Sequence, residues 1–230
     1  MTKIQLNRKV MAELLFSLKG FENSSPLQVI LNSDEHVQKK DIPEFILKFE
    51  KRRTKKNFGL STNEIVALGN LCELTSLKST SIQNWIKRDV KEIIGPPELG
   101  KKYSIEQTAL LLIVKDLKAV FDFETIRNLL MKVFNTLSDR SDDLISPLIF
   151  YKLYALILEN LRDIVVHSTL KGPLEKKIEK EVFKLLQKEM NINNSQNKEI
   201  ISRILVITIL SVLSSHIQLR TLRYAEQLLK

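Results

Sequence analysis

The chain has 230 residues, a formal net charge of +9 and a hydrophobic share of 43 %. Six glycines, six prolines and one cysteine are too few for a turn-rich sheet protein, a disulfide scaffold or a thiolate metal cage, and the many aliphatic residues favour helices. Between Lys48 and Lys102 twelve basic residues accompany six acidic ones, an excess that suits a polyanion such as nucleic acid or an anionic membrane surface.

The first region, residues 1–58, is predicted to be a helical extension. Apolar spacing predicts one helix near Leu6–Lys19 and another near Ile42–Arg53. Residues 23–26 and 32–34 are rich in Asn, Ser and Pro and predict turns. The N-terminus lacks the apolar run and the small-residue cleavage site of a signal peptide, so we expect a cytoplasmic protein.

The densest basic run of the chain lies at the end of this region, in residues 51–56. Its members Arg52, Arg53 and Lys55 are candidates for contacts to a DNA backbone. The alternative interpretation is a solvated linker.

The second region, residues 59–137, contains the clearest local signals. Three Ser or Thr residues are each followed three positions later by Glu or Gln, which is the spacing of a capping box at a helix N-terminus. The pairs are Ser61 and Glu64, Thr80 and Gln83, and Ser104 and Gln107. They predict helices over residues 62–74, 81–88 and 105–118. Asp122 is predicted to cap a fourth helix that reaches Leu137.

A basic glycine turn is predicted between the second and third of these helices, in the sequence GPPELGKKY of residues 95–103. Two prolines exclude a helix there, and Gly100 followed by two lysines suits a short extended turn. A helix, a tight connection, a short polar helix and a basic turn form the layout of a winged helix-turn-helix. The second helix of that layout fits the DNA major groove.

These elements resemble a known family of regulators. Residues 79–103, STSIQNWIKRDVKEIIGPPELGKKY, are similar to the recognition helix and wing of MerR-type proteins, and the following SIEQTALLLIVKDLKAVFDFETIRNLL resembles the next two helices of that family. The core IQNWIKR and the turn KKYS are more similar still to a bacterial family described only as a domain of unknown function with a MerR-like fold. The resemblance covers about residues 60–137. It implies an all-α protein with a MerR-like winged helix-turn-helix that binds DNA and regulates transcription.

The short second helix supplies most of the candidate DNA contacts. Gln83 and Asn84 suit adenine edges, whereas Lys87 and Arg88 suit phosphates or guanine. Gln83 stands where MerR proteins usually carry an Arg, and Asn84 stands where they carry an aromatic residue. These two departures favour the alternative function, a non-enzymatic helical protein-interaction module.

Three further positions are candidate phosphate contacts. Ser81 is predicted to lie at the start of the short helix, where free backbone N–H groups attract anions. Lys101 and Lys102 lie on the glycine turn. Trp85 and Tyr103 are predicted to pack inward rather than to touch DNA.

The third region, residues 138–230, is predicted to be a helical domain that begins with the polar linker SDRSDD. It contains three long helical patterns over about residues 144–166, 174–190 and 198–229. We expect this domain to form a homodimer, to sense a small-molecule effector of unknown identity, or both. Phe150, Tyr151 and Tyr154 lie within about one helical turn and are predicted to be core rather than a ligand pocket.

One apolar segment, Ile200–Leu219, is close to the length of a bilayer span. It contains Arg203 and His216, so a buried helix is the preferred interpretation and a membrane anchor the alternative. We therefore expect no membrane partner.

The sequence has no phosphate-binding loop, no dinucleotide fingerprint and no metal-ligand spacing. The three histidines, His36, His167 and His216, are far apart, and the single Cys72 is predicted to be a buried, reduced thiol. We expect no enzymatic activity, no cofactor and no metal. The preferred function is a regulator that binds double-stranded DNA.

Overall fold

The computed structural model describes all residues except 1–3, 23, 36, 53–56, 135–141, 168–172, 190–193 and 230, and only the backbone of residues 39 and 162–167. The described residues are mostly helical, and their extended pairings are isolated bridges rather than strands. The prediction of an all-α protein is confirmed. The α-helices are α1 (Arg8–Lys19), α2 (Pro26–Leu31), α3 (Glu44–Glu50), α4 (Thr62–Gly69), α5 (Ser79–Asn84), α6 (Lys91–Ile94), α7 (Ile105–Leu117), α8 (Phe123–Leu130), α9 (Pro147–His167), α10 (Leu174–Glu189) and α11 (Ser195–Leu228).

Two of the three predicted capping boxes are present, and they begin α4 and α7. In both, the Ser side chain accepts a hydrogen bond from the backbone N–H three residues later, and the Glu or Gln side chain accepts one from the Ser N–H. The predicted box of Thr80 and Gln83 is wrong, because α5 already begins at Ser79 and its N-cap residue, Lys78, makes no side-chain capping bond. A further box begins α2, where sequence analysis predicted only a turn: Ser25 caps it and Pro26 is its first residue.

Two predicted helices end earlier than their apolar patterns. The first helix of the second region, α4, ends at Gly69 rather than near residue 74. The fourth, α8, is capped by Asp122 as predicted but ends at Leu130, seven residues before Leu137. After α8 the N–H groups of residues 132 and 133 bond to carbonyls three residues back, and this tighter turn buries Val133 and Phe134.

The core is centred on α9. Helices α1 and α7 both pack against α9, and α11 packs against α7, α9 and α10. Phe150, Tyr151 and Tyr154 are buried, so their predicted core role is confirmed. The buried apolar residues form one continuous cluster with members from all three predicted regions. The division into three regions stays a prediction.

Among the described residues one helix, α11, is long and apolar enough to cross a membrane. Within the most apolar 18-residue window of α11, 44 % is buried inside the protein. Its residues Ile201, Leu205 and Ile209 are fully buried in the core. A core helix passes the same test of length and composition, so this helix is weak evidence for a membrane span.

Candidate nucleic-acid interface

The candidate recognition helix is interrupted by a π-helical turn. Helix α5 continues into the π-helical turn Trp85–Asp89, and the non-helical Val90 separates this turn from the short α6. The turn is closed by a 2.9 Å hydrogen bond from the Val90 N–H to the Trp85 carbonyl, five residues earlier. Such a turn adds one residue to the helix and shifts the side chains that follow it, and it occurs frequently at functional sites.

The inner face of this segment is apolar. Ile82, Ile86 and Val90 are buried. The half-buried Trp85 packs edge-on against Phe123 of α8, with ring centroids 5.7 Å apart. The predicted inward packing of Trp85 is therefore confirmed.

The outer side of the same segment carries four exposed polar residues, Gln83, Asn84, Lys87 and Arg88, which we call the polar face. Their i, i+1, i+4 and i+5 spacing places them on one side of the helix, opposite the buried isoleucines. All four are exposed, so none of them lies under the C-terminal helices, as contact with an external partner requires. The polar face is consequently open to a partner.

Ser81 does not project with the polar face. It is half-buried and lines a cleft of about 590 Å³ whose other wall includes Ser215 and Leu219 of α11. The prediction that it lies at the helix start is wrong, because α5 begins two residues earlier, at Ser79.

The connection between α4 and α5 is closed by one side chain. The amide oxygen of Asn70 accepts a hydrogen bond from the Leu77 N–H (2.6 Å), and its amide nitrogen donates one to the Leu77 carbonyl (3.1 Å). Within the loop Leu74 has a φ of 58°, and Leu6 pairs with Cys72 in a parallel bridge. These contacts end α4 at Gly69 and set the position of α5.

The predicted glycine turn is a two-residue hairpin. Leu99 and Lys102 exchange backbone hydrogen bonds of 3.0 and 3.1 Å across Gly100 and Lys101. Gly100 has a φ of 69°, as the first loop residue of a type II′ turn requires. Tyr103 pairs with Leu60 in an antiparallel bridge and is buried, as predicted. The hairpin is thereby fixed beside the start of α4.

The two turn lysines have different surroundings. Lys101 is exposed at the tip of the hairpin. The Lys102 ammonium lies 3.0 Å from a carboxylate oxygen of Glu64 and 6.0 Å from the ring centre of Phe58. Burial acts to raise the pKa of Glu64, but hydrogen bonds from Ser61 and Lys102 hold that pKa below its usual value. Lys102 is therefore engaged within the chain, and Lys101 is the more accessible cation.

Arg52 lies close to the hairpin. Its guanidinium is 5.3 Å from the centre of the Phe58 ring, so the structure brings Arg52 and Lys102 together around one aromatic side chain. A shallow cavity of about 380 Å³ is lined by these residues and Lys48. Arg53 and Lys55, the other candidates from this basic run, lie outside the described residues.

Gln107 organises the hairpin, a role that sequence analysis missed. Its side chain is fully buried, and its amide nitrogen donates to the carbonyls of Ile94 (2.8 Å) and Pro96 (2.6 Å). Its amide oxygen accepts from the N–H groups of Ser104 (3.0 Å) and Glu98 (3.3 Å). The capping-box spacing identified the bond to Ser104, whereas the other three bonds have no sequence signal because they join α7 to the end of α6 and to a loop without periodicity.

A buried charge cluster includes Glu73 of the α4–α5 connection. Arg8 of α1 binds Asp116 of α7 through two hydrogen bonds of 2.8 and 3.0 Å, and it reaches Glu73 at 3.4 Å. Lys115 and the Tyr154 hydroxyl also bond to Asp116, at 3.2 and 3.1 Å. We call Arg8, Glu73, Lys115 and Asp116, with Tyr154, the buried charge cluster.

Opposing effects set the ionisation of Asp116. Burial acts to raise its pKa, but the charges and hydrogen bonds of Arg8 and Lys115 outweigh burial and hold the pKa well below its usual value. Burial also raises the pKa of the Cys72 thiol, and Cys72 is buried as predicted. In the part of the chain that the structure describes, no group of three or more His, Cys, Asp or Glu residues is arranged to hold a metal ion.

Comparison with known proteins identifies the family of the chain. A family model described as the domain of unknown function DUF1836 matches residues 37–154. The uncharacterized protein YkrK of Bacillus subtilis (strain 168) is 49 % identical over 223 residues, which cover 95 % of each chain. No solved structure matches the chain. The expectation of a bacterial family described by a domain of unknown function is confirmed, and the MerR-like winged helix-turn-helix stays a prediction.

Proposed function

We propose that this chain, which belongs to the DUF1836 family, is a transcription regulator that binds double-stranded DNA through a MerR-like winged helix-turn-helix. The observation that carries this proposal is the polar face: four adjacent DNA-compatible side chains are exposed on a helix whose opposite side is anchored in the core. The major groove admits one helix, and amide and basic side chains are the ones that read base edges and phosphates there.

The surroundings of the polar face support the same partner. Between residues 83 and 92 three basic residues, Lys87, Arg88 and Lys91, accompany two acidic ones, Asp89 and Glu92. Glu92 lies 3.9 Å from Arg127 of α8, which offsets part of its charge. The surface is thus positive in sum, as attraction to phosphate requires.

The hairpin and Arg52 supply the second part of the proposed interface. Lys101 at the hairpin tip is exposed, and Gly100 beside it has no side chain that would block close approach of a phosphate. Arg52 and Lys102 form a basic pair at the base of the hairpin. In this arrangement the polar face reads bases, while the hairpin and its base contact the backbone.

The proposal is tested by duplex binding of the purified protein, first on genomic fragments that it captures and then on one recovered site at several salt concentrations. Replacing Lys87, Arg88 and Lys101 by Ala is expected to weaken binding and to reduce the slope of log K against log salt by about 3, roughly one for each phosphate that the variant no longer neutralises. The matched control replaces Lys180, Lys184 and Lys188 of α10 by Ala, which removes the same charge from another helix. Equal losses in both triple variants would show that the polar face is not the DNA surface.

We further propose that the protein binds DNA as a homodimer. The last part of α11 is exposed, and it carries Leu222, Tyr224 and Leu228 at exposures of 62–77 %. Exposed apolar side chains along one helix are typical of an interface. A two-fold dimer would place two polar faces on half-sites separated by about one turn of DNA. Light scattering should give twice the mass of the chain, and Tyr224→Glu with Leu228→Glu should return it to the monomer mass.

The second candidate function is a helical protein-interaction module, and the same exposed end of α11 favours it. A different protein would then cover these side chains in place of a second copy. Recovery of one stoichiometric protein on a column of this chain, together with no retention of DNA at low salt, would select this alternative over the regulator.

A further inference from the structure

A cavity of about 420 Å³ lies behind the α4–α5 connection, and its volume is typical of small-molecule sites. It is bordered by the start of α1, by Glu73, by α9, by the first residue of α10 and by α11. Six aliphatic side chains form the apolar part of its wall: Ala155, Leu158, Leu161, Leu174, Leu213 and Ile217. A ligand with a hydrocarbon body would therefore bury apolar surface on entering.

The charges at this cavity favour an anionic head on the ligand. Arg8 and Glu73 line the cavity but belong to the buried charge cluster, whose two cations and two carboxylates balance. The other charged lining residues are Lys9 and Arg220, against Glu159. The charge outside the cluster is positive in sum, and a carboxylate placed between Lys9 and Arg220 would accept charge-assisted hydrogen bonds.

We propose that this cavity binds an amphipathic aliphatic acid, with its chain against the leucines and its carboxylate toward Lys9 and Arg220. Glu73 lines the cavity, and it lies six residues before the start of α5. Its N–H donates a 2.8 Å hydrogen bond to the Leu6 carbonyl, and its carboxylate contacts the buried Arg8. A ligand that displaces Glu73 would consequently shift the connection that positions the polar face. This coupling, unlike the ligand site itself, rests on the proposed DNA-binding function.

The site is tested by calorimetric titration of the whole protein with three ten-carbon probes: decanoate, decanol and decylammonium. Decanoate is expected to bind at one site per chain, about tenfold or more tighter than either of the other probes, because only it offers an anionic head. Absence of decanoate binding would overturn the site. Equal binding of decanoate and decanol would overturn the assignment of the anionic head.

Variants locate the bound probe. Arg220→Gln is expected to weaken decanoate binding about tenfold and to leave decanol binding unchanged. Arg223→Gln is the matched control, because it removes the same charge three residues further along α11 and outside this cavity. Ile217→Trp, at a position 64 % exposed, is expected to fill the opening and abolish binding of both probes without disturbing the core. Binding that survives in both Arg220→Gln and Ile217→Trp would contradict the assigned cavity.

The coupling is tested separately, by measuring DNA affinity with and without saturating decanoate. A change of about fivefold or more supports coupling between the cavity and the polar face. The same change must be absent in Ile217→Trp. An unaltered affinity would overturn the coupling while leaving the ligand site intact, and a protein that binds decanoate but no DNA would contradict the proposed function alone.

Discussion

The buried charge cluster and the polar face are both rich in charged side chains, but they lie in opposite environments. Arg8 and Asp116 are 2 % and 3 % exposed and bind each other, so their charges are compensated inside the chain. Lys87 and Arg88 are exposed to solvent. A buried charge must find its partner within the fold, since leaving it unpaired costs several kcal/mol, whereas an exposed charge remains available to an external partner. We therefore predict that substitutions in the buried charge cluster change stability, whereas substitutions in the polar face change binding.

The largest effect is expected from Asp116→Asn, which leaves the buried Arg8 without its carboxylate partner. The free energy of unfolding should fall by about 3–5 kcal/mol, measured by urea denaturation. The second single variant is Arg8→Met. The double variant Arg8→Met with Asp116→Asn should lose less free energy of unfolding than the sum of the two single losses. Additive losses would contradict a direct Arg8–Asp116 pairing.

Acid is expected to weaken the same pair in the unaltered chain. The folded-state pKa of Asp116 lies below its unfolded value of about 4, so the stability that its charge provides is fully present above about pH 4 and is lost as the pH falls further. Denaturation curves at a series of pH values from 7 down to 3 should show this decline. The Asp116→Asn variant should lose less stability over the same interval, and a decline of equal size would assign the acid sensitivity to other carboxylates.

Gln107→Leu is expected to have an intermediate effect. It removes the side chain that bonds to four backbone groups between Ile94 and Ser104 and leaves buried polar groups without partners. The expected loss is about 1–3 kcal/mol. Gln83→Leu is the matched control on the polar face, where the same substitution should leave the free energy of unfolding nearly unchanged.

The smallest effect on stability is expected at the polar face itself. Lys87→Ala and Arg88→Ala should each change the free energy of unfolding by less than about 0.5 kcal/mol, because both side chains are exposed. Urea denaturation of these variants beside Asp116→Asn compares the stability effect of the polar face directly with that of the buried charge cluster. A loss of about 2 kcal/mol or more at either position would mean that the polar face holds the fold together.

Some features of the candidate interface followed from local sequence patterns. The capping boxes at Ser61 and Ser104, the inward packing of Trp85 and the turn at Gly100 all depend on residues within five positions of one another. The exposure of Gln83, Asn84, Lys87 and Arg88 also followed, because burial of the neighbouring isoleucines leaves them the outer side of the helix. The position of Ser81 was predicted incorrectly because the start of α5 has no capping signal in its own residues.

By itself, the sequence determined the helical class, most helix positions and a positive polar helix face, because turn chemistry and apolar periodicity act between residues one to four positions apart. The tertiary structure alone decided that Arg8 pairs with Asp116, 108 residues away, that Gln107 holds the hairpin, and that leucines of three helices enclose a cavity behind Glu73. Packing creates such contacts between residues that have no sequence spacing in common, so no local pattern predicts them.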